Sequence, residues 1–187
     1  MSPKHPKPIA ARALARALVV AFALALPASA AAVPKVGSTL PAVTLSDAWD
    51  RTLDLGKLAG KPTLVVYEDK DSAQQNAALK EELSKLAKGD KYKERVALVA
   101  VADVSGFDYW PAKGFVKDAI KSESRKAGTV IYCDWSGAAR DRLAVKKGVS
   151  SVVLYDKSGK VAFSASGTLS AAQRKELVGL VRAELGE

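Results

Sequence analysis

Few side chains in this sequence could make or break a covalent bond, and their positions narrow the chemistry further. Ser72 and Gln75 stand in Ser72-Ala73-Gln74-Gln75, where the apolar run Thr63–Tyr67 passes through a polar turn into a stretch with helical spacing. A serine at a helix start gains from the positive end of the helix dipole, yet as a nucleophile it needs a general base. The only histidine is His5, close to the N-terminus. Without another, Ser-His-Asp and Cys-His pairs are excluded, and so are the usual zinc sites. The other use of the tetrapeptide is a capping box, with the Ser72 hydroxyl accepting from the Gln75 N–H and the Gln75 side chain reaching back. The spacing favours this second use, which stabilises by about 1 kcal/mol.

Cys133 is the single thiol, near the end of an apolar strand and between Tyr132 and Asp134. A cysteine in such a place behaves as a small buried hydrophobe, whereas a peroxidatic thiol wants a helix N-terminus and a nearby cation. Five carboxylates follow the central strands: Glu68, Asp69 and Asp71 the first, Asp103 the second, Asp134 the third. Strand ends of that kind converge on the ligand-binding edge of open α/β sheets, and grouped carboxylates there could hold Ca²⁺ or Mg²⁺. No Asp-x-Asp-x-Gly ladder of ligands is present, so the simpler reading is that these acids are solvated or cap helices. No metal and no cofactor is therefore expected. Phe107, Tyr109 and Trp110 cluster in a loop beside Pro111. Aromatic loop residues more often fold back on the core, but if exposed they are the first place to look for a partner surface.

The first 30 residues read as an export signal. Lys4, Lys7, Arg12 and Arg16 form an acid-free basic region, Ala17–Leu26 is apolar, Pro27 breaks the helix and Ala28-Ser29-Ala30 is a small-x-small cleavage site. The apolar run is too short for a comfortable membrane span, and no cysteine follows it to carry a lipid. An uncleaved N-terminal anchor is the alternative. Cleavage within Ala28–Ala32 leaves residues 31–187 as one domain, with no membrane attachment expected afterwards. Losing those four basic residues takes the formal charge from +9 to +5. The remaining charges alternate in sign along helical stretches such as Leu79–Lys88, so no basic stripe of the kind nucleic acid needs is present.

The elements that must position these residues follow from periodicity. Val43–Asp47 and Thr52–Leu55 suggest an N-terminal hairpin, with Gly56–Gly60 as a turn. Thr63–Tyr67, Val96–Ala102 and Thr129–Cys133 are continuous apolar strands, as a sheet covered on both faces requires. Helices are expected over Ser72–Lys88 (stopped by Gly89), Ala112–Lys126 (ended by Gly128) and Gly137–Lys147. Ser151–Tyr155 and Lys160–Ser164, joined by Asp156-Lys157-Ser158-Gly159, form an antiparallel hairpin, and Ser170 caps a last helix over Ala171–Leu185. The fold class is α/β with a mixed central sheet and helices on both faces.

This order, together with Gly148-Val149-Ser150-Ser151-Val152-Val153-Leu154-Tyr155-Asp156-Lys157-Ser158-Gly159-Lys160-Val161, resembles the thioredoxin fold in its exported, peroxiredoxin-like form. In that family a cysteine pair opens the first helix and a cis-proline precedes the closing hairpin. Here Ser72 and Gln75 stand at the cysteine positions and Ser150 at the cis-proline position. The chain is similar in particular to the YtfJ-like family of periplasmic proteins. The similarity rests on its Ser-Ala helix start, Gly114-Phe115-Val116, the Gly-x-Ala-Arg turn Gly137–Arg140, Ser150-Ser151 and Leu169-Ser170. The resemblance implies an exported thioredoxin-like protein without an established reaction, and the leading expectation is a redox-inactive domain acting by binding another envelope protein. The alternative is a thiol-dependent oxidoreductase or peroxidase using Cys133 with an external thiol. Glu68, Asp69, Asp103 and Asp134 are the candidate ligand-binding residues, and Phe107, Tyr109 and Trp110 the candidate partner surface.

Overall fold

Strand registers in the computed structural model, which describes residues 33–87, 92 and 94–187, set the architecture. The expected export signal and the helix stop at Gly89 lie outside the described residues. Three parallel strands form the centre: β3 (Thr63–Glu68), β4 (Ala97–Asp103) and β5 (Ile131–Asp134), with Leu64 opposite Leu98 and Asp103 opposite Asp134. The closing hairpin of β6 (Ser151–Tyr155) and β7 (Val161–Ser166) adds antiparallel to β3. The N-terminal hairpin of β1 (Thr44–Asp47) and β2 (Thr52–Asp54) adds antiparallel to β5. The sheet therefore has seven strands in the order β2-β1-β5-β4-β3-β6-β7. The described residues form one compact unit.

Each central strand sends alternate residues to opposite faces, which is why it reads as an unbroken apolar run. Val65, Tyr67, Val99, Val101, Val153 and Tyr155 pack on one face. They meet Leu55 of the 3-10 turn Leu55–Leu58 and Ala139 of the short helix α3 (Ala138–Arg142). On the other face Leu64, Val66, Val152 and Leu154 meet Leu79 of α1 (Ala77–Ala87) and Leu177 and Val181 of α4 (Ala171–Glu184). Helix α2 (Ala112–Ala127) crosses between β4 and β5 but buries only Ser124, and Gly128 ends it in the left-handed conformation. Its outer side leaves Phe115 in solvent.

Two helices differ from the periodicity. α3 stops at Arg142 rather than Lys147, because Leu143 and Val145 are both buried and two residues apart cannot share a helix face. The chain instead turns through Ala144 at φ 54°. The first helix begins at Ala77, not Ser72, and the reason lies in the side chains of the intervening turn.

Candidate functional site

The C-terminal ends of β3, β4 and β5 and the start of β6 share one edge of the sheet, and seven of the ten buried polar residues among the described residues collect there: Glu68, Ser72, Asn76, Asp103, Asp134, Ser150 and Ser151. All but Ser151, whose buried hydroxyl has no hydrogen-bond partner, fall into two separate networks rather than one centre.

The first network occupies the turn between β3 and α1. Ser72 is fully buried, and its hydroxyl accepts from the Asp69 N–H at 2.9 Å and donates to Asp69 Oδ1 at 2.7 Å. The expected capping box is thus absent. Gln75 turns away and its Oε1 accepts from the Ser150 N–H at 3.0 Å. The Ser150 hydroxyl donates to Glu68 Oε1 at 2.8 Å and accepts from Asn76 Nδ2 at 2.8 Å. Asn76 also donates to the Gly167 carbonyl and accepts from the Leu169 N–H, both at 2.9 Å. Lys80 pairs with Glu68 Oε2 at 2.5 Å and donates to the Ala73 carbonyl at 2.6 Å. Asp69, Gln75 and Asn76 therefore spend their side chains on tertiary partners and Ser72 on the turn itself, and helix geometry starts only where that demand ends. Asp69 Oδ2 further accepts from the Gly148 N–H at 2.5 Å. Burial alone would raise the Asp69 pKa, but hydrogen bonds from Ser72, Gly148 and Asp71 outweigh it and hold the carboxyl below its ordinary range.

The second network joins β3, β4 and β5. Asp134 Oδ2 accepts from the Tyr67 hydroxyl and the Arg140 N–H, each at 2.9 Å, while Oδ1 accepts from the Gly137 N–H at 2.8 Å. Arg140 Nη1 donates to Asp103 Oδ2 at 3.0 Å, and Asp103 Oδ1 accepts from the Ser105 hydroxyl at 2.7 Å. Burial pushes the Asp103 pKa up, and bonds from Ser105, Tyr67 and Arg140 overcome it, so Asp103 stays below its ordinary value. Burial, then the charges of Asp134 and Asp103, drive the Tyr67 hydroxyl strongly upward and keep it a neutral donor. Gly137 has a physical role here. Its φ is +81°, and a Cβ would collide with the Arg140 guanidinium, so the Gly-x-Ala-Arg pattern is the condition for Arg140 to reach Asp103.

The four carboxylates singled out in the sequence thus do not converge: Glu68 and Asp69 belong to one network, Asp103 and Asp134 to the other. Among the described residues no group of three or more His, Cys, Asp or Glu side chains is placed to hold a metal ion. Cys133 is buried in β5 beside the N-terminal hairpin, and burial, then the Asp47 charge, push its thiol up to about 11. Phe107, Tyr109 and Trp110 do not fold back on the core; Trp110 is 91% and Tyr109 59% exposed. Sequence reasoning missed Tyr67, Asn76, Lys80 and the reach of Arg140. A signal existed for Asn76, which stands three and seven residues before Leu79 and Leu83, on the helix stripe that should be apolar.

A central parallel sheet closed by an antiparallel hairpin, with a polar turn opening α1 against the residue before β6, defines a thioredoxin-like protein. Solved structures agree at the level of the fold. A candidate protein disulfide isomerase from Bacteroides thetaiotaomicron matches at TM-score 0.61 and 17% identity, over 85% of this chain and 95% of that one. A peroxiredoxin-like protein from Aquifex aeolicus matches at TM-score 0.59 and 15% identity, over 81% and 88%. The exposed lipoprotein thioredoxin Etrx1 from Streptococcus pneumoniae matches at TM-score 0.57 and 15% identity, over 76% and 99%. No curated protein matches the chain in sequence. The chain belongs to the YtfJ_HI0045 family of bacterial proteins of unknown function, whose profile matches residues 47–184.

Proposed function

We propose that this is an exported, periplasmic thioredoxin-like protein that carries no dithiol chemistry and works by binding another protein of the cell envelope. One observation carries the reading. The positions that resemble a redox pair and its cis-proline are Ser72, Gln75 and Ser150, and each is held by hydrogen bonds: the Ser72 hydroxyl to Asp69, the Gln75 amide oxygen to the Ser150 N–H, and the Ser150 hydroxyl to Glu68. A nucleophile must be reachable, and Ser72 is fully buried with its hydroxyl engaged on both sides. The export signal read from Lys4 to Ala30 supports the compartment, and among the described residues no helix is long and apolar enough to cross a membrane. Phe107, Tyr109 and Trp110 are the residues proposed to meet the partner.

The competing use of the fold is a thiol reaction at Cys133, and alkylation separates the two. Raising a thiol from its ordinary 9.0 to about 11 lowers the thiolate fraction at neutral pH about a hundredfold, before burial slows access further. Iodoacetamide is expected to modify the native protein at least about a hundredfold more slowly than the urea-unfolded chain at pH 7.5. The native rate should rise about tenfold per pH unit and level off only near pH 11. A native rate equal to that of an unfolded cysteine, with an inflection below pH 8, would restore the enzyme reading.

A further inference from the structure

The edge that holds the closed motif also carries an open surface, and its charges say what could cover it. The loop leaving β4 presents Phe107, Tyr109 and Trp110, and Phe115 on the first turn of α2 is 72% exposed. Large aromatic side chains grouped in water mark an interaction site. This loop meets the connection before β6. The Lys147 ammonium lies 3.9 Å from where a Cβ on Gly106 would stand, and the next residue, Gly148, donates to Asp69 beside Lys70.

The lysines of this region fall into two kinds. Those on α2 are neutralised within the fold: Lys113 by Asp108, Lys117 by Asp50, Lys121 by Asp118 and Lys126 by Glu123. Lys70, Lys146 and Lys147 are exposed and make no ion pair among the described residues; of the two acids on the same turn, Asp69 is half-buried with its oxygens taken by Ser72 and Gly148, and Asp71 is exposed. Positive charge without an ion pair therefore clusters beside the aromatic loop, while the helix keeps only Arg125 unpaired among the described residues. A bilayer would need the helix row free, whereas a short cluster next to an aromatic anchor suits a single peptide segment.

Resting on the binding reading above, we propose that Phe107, Tyr109 and Trp110 with Lys70, Lys146 and Lys147 dock an acidic segment of a protein partner. The segment sets an apolar side chain against Trp110 and its carboxylates against the lysines. The test is selection of a phage-displayed random peptide library on the full mature protein, followed by fluorescence anisotropy with the labelled winners. The winners are expected to pair Asp or Glu with Leu, Ile or Phe and to bind more weakly as salt rises. Trp110→Ala and the double change Lys146→Glu/Lys147→Glu should each weaken binding about tenfold or more. Both sites are exposed, so neither change should disturb folding.

Winners that lack acidic residues, or that ignore both changes, overturn this surface while leaving a binding protein elsewhere on the fold. A selection without winners overturns it as well. Trp110-dependent binding to phosphatidylglycerol vesicles, without any peptide, would reassign the surface to a membrane. Failure of the binding reading itself has a different signature, dithiol or peroxide turnover by the same preparation.

Discussion

Asp134→Ala is expected to destabilise the protein by about 4 kcal/mol, because it leaves three donors without an acceptor at a site where water is scarce. The Tyr67 hydroxyl, the Gly137 N–H and the Arg140 N–H all end on this one carboxylate, which is almost fully buried. Two of these donors lie in the turn that opens α3, so the change also releases the arm that carries Arg140 to Asp103. Asp103 would then keep Ser105 but lose the geometry that holds its cation. Tyr67→Phe is the graded control. It removes one donor and leaves the two amide bonds, for a loss of about 1 kcal/mol. Urea unfolding of the two variants measures both. Equal losses would mean that the carboxylate does not organise the turn.

Asn76→Ala is the second large effect, expected to cost about 3 kcal/mol. The Asn76 amide links α1 to Ser150 and to the Gly167 and Leu169 backbone, three partners distant in sequence. Alanine suits a helix start no better than asparagine and leaves the Leu169 N–H and the Gly167 carbonyl unmet. The variant should unfold earlier in urea, and hydrogen exchange should show faster opening at residues 167–169 and 150. Protection unchanged there would show that the network does not couple the hairpin to α1.

How much of this was readable beforehand depends on what each residue answers to. The strands Thr63–Glu68 and Ser151–Tyr155 were legible because burial on both faces imposes one composition throughout, and Ala97–Asp103 because it keeps that composition although only alternate residues are fully buried. Gly128 at the end of α2 was legible because a left-handed helix stop is a local requirement. The pattern Ser-x-x-Gln occurs twice and shows the limit. At Ser170–Gln173 both reciprocal bonds form and α4 starts on schedule. At Ser72–Gln75 the same spacing yields no capping box, because Asp69 takes the serine and the Ser150 N–H takes the glutamine. Nothing within four residues of Ser72 announces Ser150, which is brought there by the antiparallel pairing of β6 with β3. The candidate acids were placed on the right edge for the same reason the strands were found. Their division into two networks depended on Tyr67, Asn76 and Arg140, whose roles are set by tertiary contact.

The turn between β3 and α1 is the centre of the proposal: a thioredoxin-like edge at which Ser72, Gln75 and Ser150 are engaged in hydrogen bonds. The most direct test is turnover of insulin disulfides with dithiothreitol, and of hydrogen peroxide with an added thiol, by the purified protein beside its Cys133→Ala variant. The account predicts background rates in both assays and no difference between the two proteins. Turnover at the rate of a dithiol thioredoxin or a peroxiredoxin, abolished in the Cys133→Ala variant, would contradict it.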